Sequence, residues 1–181
     1  MQLIDHPAQY RDGTRVLMLK SRRKDGHDRE RQIMRVTHSV DHFNRSLGDL
    51  LAMARDGERI YGAASARDMQ KAVRLFKQRQ LDADYDDDPL RFYRGINERW
   101  VSALMAPTSQ AAKLWLFDCD TVDAGAQVSA ELAEHYDRPM EPYRYTSKSG
   151  LHIVIQPFDR SRLSDGVRSL IHENPIILWG Y

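Results

Sequence analysis

Apolar positions along this chain alternate between two spacings, and the switches between them mark the elements. Val16 to Leu19 is a short apolar run that predicts a strand, and Gln32 to Val36 predicts its return strand. Asp25-Gly26 between them is a hairpin-turn signal. From Ser39 the spacing lengthens. Phe43, Leu47, Leu50, Leu51 and Ala54 recur every three or four residues, which predicts a helix capped by Ser39 and stopped at Asp56-Gly57. Arg59 to Ala63 predicts a strand. Ser65 then predicts the cap of a second helix, with Met69, Ala72, Val73 and Phe76 as its buried stripe. Pro89 to Leu104 predicts a third helix, with Phe92, Ile96, Trp100, Ala103 and Leu104 inward.

The second half follows the same logic. Leu114 to Phe117 is an apolar run ending in Asp118-Cys119-Asp120, and predicts a buried strand. Gly125 to Tyr136 predicts a helix with Val128, Leu132 and Tyr136 on one side. Pro142 to Thr146 predicts a strand, and Leu151 to Ile155 another. Val167, Leu170 and Ile171 suggest a short helix, and Ile176 to Trp179 a last strand. This order predicts an α+β fold, a mixed or antiparallel sheet with packed helices. We expect a single domain over 1–181. Residues 1–38 form a strand and basic-hairpin extension, opened by an arm or edge segment at Met1 to Gly13, and 39–181 form the core.

Composition narrows the partners. With 27 Lys and Arg against 26 Asp and Glu among 181 residues, the chain has no global attraction to nucleic acid, so such binding needs a local patch. Lys20, Arg22, Arg23, Lys24 and Arg29 supply one, at the tip of the first hairpin, to contact DNA or RNA phosphates. The alternative is a solvated charged tip. One cysteine allows no internal disulfide and suits a reducing compartment. No apolar run approaches the roughly 20 residues of a membrane helix, and the N-terminus has no signal pattern, so a soluble cytoplasmic protein is expected. The acidic run from Asp82 to Asp88 lacks the glycine and closing glutamate of a calcium loop and is expected to be a solvated face.

The candidate chemistry lies in two stretches. Side chains of a strand alternate faces, so Asp118 and Asp120 point the same way while Cys119 points into the core. Two carboxylates at a strand end can hold a divalent ion. The loop Ser147-Lys148-Ser149-Gly150 before His152 offers backbone N–H groups and small side chains to a phosphate. Together they are the parts of a metal-dependent nucleotide site.

Phe117-Asp118-Cys119-Asp120 and Ser149-Gly150-Leu151-His152-Ile153 resemble the first and second motifs of the archaeo-eukaryotic primase (primase-polymerase) superfamily. The resemblance extends over roughly Arg59 to Asp159, and Arg67-Asp68 resembles the helix start that precedes the first motif. It implies an RRM-like core in 39–181. It implies Mg²⁺ or Mn²⁺ on Asp118 and Asp120, with His152 as the third catalytic group. A nucleoside triphosphate would then contact Ser147, Lys148, Ser149, Gly150, His152 and Arg67, and nucleotidyl transfer would run on a nucleic-acid template, as in DNA replication by phage or mobile elements. For Arg67 a salt bridge is the alternative, and for Asp68 a first-turn acid favoured by the helix dipole. The family's third motif supplies a further aspartate on a later strand. Here the last strand carries no acid, and His172-Glu173-Asn174 and Asp159 are the places to look for a substitute. The rival reading is a catalytically degenerate primase-like fold that binds nucleic acid, a protein partner or a second copy of itself. Phe117 to Asp123 also resembles the nucleophile strand of haloacid-dehalogenase-type phosphatases, but the tail after His152 is too short for that fold's later motifs. Asp-x-Asp occurs in nucleotide-sugar glycosyltransferases too, which need a longer downstream half.

Overall fold

A computed structural model of the chain describes residues 1–21, 30–81, 89–135, 143–148 and 150–181. Strands β1 (Arg15–Lys20) and β2 (Gln32–Thr37) pair antiparallel with Arg15 opposite Thr37 and Lys20 opposite Gln32. The Asp25-Gly26 turn and the basic residues Arg22, Arg23, Lys24 and Arg29 lie outside the described residues, as does the Asp82–Asp88 run. Helix α1 (Val40–Met53) starts where the sequence predicts, because the Ser39 hydroxyl accepts the His42 N–H at 3.3 Å and removes one unpaired donor of the first turn. Strand β3 (Arg59–Ala63) pairs with β1 on one side and with β8 (Ile176–Gly180) on the other. The first sheet therefore runs β2-β1-β3-β8, antiparallel throughout. The arm extends it: Gln2 and Tyr181 exchange backbone hydrogen bonds at 2.8 and 3.1 Å, and the Ile4 N–H reaches Trp179 O at 3.0 Å.

β1 is apolar without alternation because both of its faces are covered. Leu17 and Leu19 pack with Phe43, Leu47 and Leu50 of α1, whereas Val16 packs with Ala72 of α2 (Met69–Leu81) and Leu104 of α4 (Ile96–Met105). Two boundaries differ from the sequence prediction. Ser65 does not cap α2; its hydroxyl donates to loop carbonyls, and Asp68 caps the helix by accepting the Lys71 N–H at 3.1 Å. The helix predicted from Pro89 to Leu104 divides at Gly95 into α3 (Pro89–Arg94) and α4. Glycine's poor helix propensity is the local cause.

The second sheet takes the later elements: β4 (Trp115–Cys119), α5 (Val122–His135), β5 (Tyr143–Thr146), β6 (Leu151–Ile155), α6 (Asp165–Arg168) and the two-residue β7 (Ile171–His172). Its order is β5-β6-β4-β7, again antiparallel throughout. Two βαβ units are thus interleaved, with β4 and β6 central. Ile171, expected in a short helix, instead pairs with Phe117 of β4. The fold class is α+β with two antiparallel sheets.

Alternation along β4 decides where the chemistry lies. Phe117 and Cys119 face α5 and α6, packing with Val128, Leu132 and Val167. Leu116 faces the other way and joins Val154, Tyr145, Leu17, Ile177 and Trp179 in the main core, which ties the two sheets together. His6 is buried in this core, 2.7 Å from Leu178 O and 2.8 Å from the Tyr143 hydroxyl. Among the described residues no helix is long and apolar enough to cross a membrane.

Candidate functional site

Asp118 shares the Leu116 face of β4, so it emerges where the two sheets meet. A cleft of about 260 Å³ opens there. Arg59, Tyr61, Ile176 and Leu178 of the first sheet form one wall, and Asp118, Asp120, Tyr145, Ser147, Lys148 and His152 the other. Both aspartates line it and Cys119 is fully buried, as strand alternation requires. Burial first, then the flanking carboxylates, push the Cys119 thiol up to about 11, which leaves it inert.

His152 is the hub of the second wall. It stands directly opposite Asp118 in the β4–β6 ladder and opposite Tyr145 in the β5–β6 ladder. Cross-strand partners share a face, which brings all three side chains together. His152 Nδ1 lies 2.8 Å from Asp118 Oδ1, a short approach that sits off the donor axis of the ring. Its Nε2 lies 2.9 Å from the Ser147 hydroxyl, and its ring stacks on Tyr145 at 4.8 Å. The Tyr145 hydroxyl accepts the Leu178 N–H at 3.3 Å, and so pins this wall to β8.

The loop leading into His152 is tied down at both ends. The Ser147 N–H donates to Gly150 O at 2.9 Å. Gly150 lies so close to β4 that a Cβ on it would be 2.0 Å from the Cys119 carbonyl oxygen. Only a glycine lets the loop approach the Asp118–Asp120 segment this closely. Ser149 lies outside the described residues. Lys148 is exposed and, with Arg59, also lines an adjoining groove of about 620 Å³. The acid of that groove, Glu58, is buried and taken up by Arg31 at 3.2 Å and by the Arg55 N–H at 2.9 Å. Arg59 and Lys148 are the cationic side chains of that groove's lining.

The structure does not gather every residue singled out in the sequence. Arg67 is buried and is not part of the cleft lining. Its guanidinium donates to Asn174 Oδ1 at 3.2 Å, and Gln110 Nε2 donates to the same oxygen at 2.5 Å. Asn174 in turn donates to Met105 O at 2.6 Å. Arg67 thus clamps the β7–β8 connection. Burial, with the nearby Arg15, lowers its pKa to about 10. Asp159 caps a short 3₁₀ turn by accepting the Ser161 N–H at 3.0 Å, which holds its carboxyl below the usual range. Glu173 pairs with Arg160 at 2.9 Å. His172 is different: its Nε2 lies 3.9 Å from Asp118 Oδ2.

Arg59, Tyr61 and Tyr145 had no role in the sequence reading. The i, i+2 spacing of Arg59 and Tyr61 on one strand was their only local signal. Among the described residues, no three His, Cys, Asp or Glu side chains are already gathered into a coordination set. Mg²⁺ is typically held by one or two carboxylates together with water and substrate phosphates. Asp118 and Asp120 are chemically suited to that arrangement. No family model matches the chain, no curated protein matches its sequence, and no solved structure matches it.

Proposed function

We propose that this chain is a primase-polymerase-like domain that binds a nucleoside triphosphate and Mg²⁺ or Mn²⁺ in the cleft between its sheets, for nucleotidyl transfer on a DNA or RNA template. The observation that carries the reading is the convergence of the two sequence motifs: Asp118 and His152 meet at 2.8 Å in a cleft that Asp120, Ser147 and Lys148 also line. In this reading Asp118 and Asp120 hold the cation, which neutralises charge developing on the transferred phosphoryl group. Ser147 and Lys148 meet the phosphates, with Arg59 facing them from the opposite wall. His152, held between Asp118, Ser147 and Tyr145, positions the Asp118 carboxylate and the Ser147 hydroxyl that face the ligand. The strand order β7-β4-β6-β5 in a βαββαβ series agrees with an RRM-like core.

The second reading, a degenerate primase-like module, draws on one observation. The strand beside β4 bears His172 where a further carboxylate would complete an all-oxygen metal site. Primer synthesis and primer extension with Mn²⁺ separate the two. Incorporation by the native chain that Asp118→Ala/Asp120→Ala abolishes supports nucleotidyl transfer. Nucleic-acid binding without incorporation, unaffected by the same double substitution, refutes it in favour of the module.

A further inference from the structure

We propose that His172, which flanks this cleft beside Asp118, is a ligand of its cation, adding to the carboxylates an imidazole that favours Co²⁺-like borderline metals over Mg²⁺. The inference rests on the metal-site reading above. Asp118 divides its two oxygens: Oδ1 meets His152 at 2.8 Å, while Oδ2 faces His172 Nε2 at 3.9 Å. That second separation is too long for a hydrogen bond, which is lost by about 3.6 Å. It is close to the roughly 3 to 3.5 Å between two donor atoms that share one cation at ~2.1 Å from each. A cation drawing both inward by a few tenths of an ångström would close the gap. Asp120 is exposed at the strand end and lines the cleft.

The position of His172 is built into the fold. β7 is only two residues long, yet it is held at both ends. His172 pairs with Leu116 and so faces the cleft side of the sheet, and the Asp118 N–H donates to Leu170 O at 3.1 Å. Beyond it, Asn174 is locked by Arg67, Gln110 and the Met105 carbonyl. The imidazole itself is largely exposed, with its Nε2 turned to the Asp118 carboxylate. Imidazole nitrogen suits Zn²⁺, Ni²⁺ and Co²⁺, whereas carboxylates and water alone suit Mg²⁺ and Ca²⁺.

The test is a Co²⁺ titration of the full chain by calorimetry and visible absorption, followed by competition with Mg²⁺. Asp118→Ala/Asp120→Ala serves as the blank, because imidazoles elsewhere, such as His38 and His42 with rings 5.7 Å apart, can also take Co²⁺. Above that blank, His172→Ala is expected to weaken Co²⁺ binding by roughly tenfold or more. His172→Asp is expected to restore binding and let Mg²⁺ compete. An unchanged Co²⁺ affinity in His172→Ala, with binding still lost in the blank, overturns the proposal and leaves the carboxylate site standing. His172→Asp that fails to shift preference toward Mg²⁺ overturns the selectivity claim. A native chain no better than the blank overturns both this inference and the reading on which it rests.

Discussion

Adding one methyl group at Gly150 tests whether the site depends on the loop's approach to β4. A Cβ built there would lie 2.0 Å from Cys119 O and 3.0 Å from the carbonyl carbons of Cys119 and Asp120. All three are backbone atoms, so no rotamer change relieves the clash. The loop must retreat by about 1.4 Å or more to reach an ordinary contact distance. Leu151, next in the chain, is paired with Cys119, so the retreat spreads along the β4–β6 ladder to the Asp118–His152 pair. A contact of 2.8 Å then opens to about 4 Å, and the pair no longer touches. Overpacking of this kind costs about 1–3 kcal/mol. In a chain of this size that lowers the melting temperature by roughly 2–12 °C. Gly150→Ala is therefore expected to melt earlier by circular dichroism and to bind Mn²⁺-nucleotide at least roughly tenfold more weakly, as a misplacement of about 1 Å would produce. Gly166→Ala is the control, since nothing stands within 4 Å of a Cβ there. If Gly150→Ala melts and binds like the native chain, the close approach does not organise the site and the argument from it fails.

Two further predictions concern stability. Burial pushes the His6 imidazole down from 6.5 to about 4, so the unfolded chain binds more protons than the folded one between these values. The stability present at neutral pH is then lost as pH falls from 6.5 to 4, by about 3 kcal/mol in all. Urea midpoints across that range should fall less steeply in His6→Gln; parallel curves would show that His6 titrates normally. Gly48 lies exposed inside α1 with nothing within 4 Å of a Cβ, so Gly48→Ala should stabilise the chain by about 0.5–1 kcal/mol in urea unfolding. A loss of stability would mean that the helix surface is not open at that point.

Elements with strong local signals were legible in the sequence. The Ser39 cap and the Phe43–Leu50 stripe produce α1 directly, and alternation placed Asp118 and Asp120 on one side with Cys119 in the core. The boundaries that shifted had competing local signals: Asp68 outcompeted Ser65 as a cap, and Gly95 interrupted an otherwise continuous apolar stripe. Ile171 fitted a helical spacing with Val167 and Leu170, and only its pairing with Phe117 makes it a strand. Long-range arrangement left no local trace. Nothing in Ile176–Gly180 says that this strand leaves the second sheet and closes the first, and that crossing supplies the Ile176–Leu178 wall of the cleft. Arg67 was expected at a phosphate, but its partner is Asn174, far along the chain. The same long-range folding brings His172, from the His172-Glu173-Asn174 stretch singled out in the sequence, to 3.9 Å from Asp118.

The central claim is that Asp118 and Asp120 bind a nucleotide through a divalent cation. Its most direct test is calorimetric titration of a nucleoside triphosphate into the native chain with Mn²⁺, with Mn²⁺ withheld, and into Asp118→Ala/Asp120→Ala with Mn²⁺. Saturable binding that requires both the metal and the two carboxylates is the predicted result. Equal binding in all three titrations, or none in any, would contradict the claim.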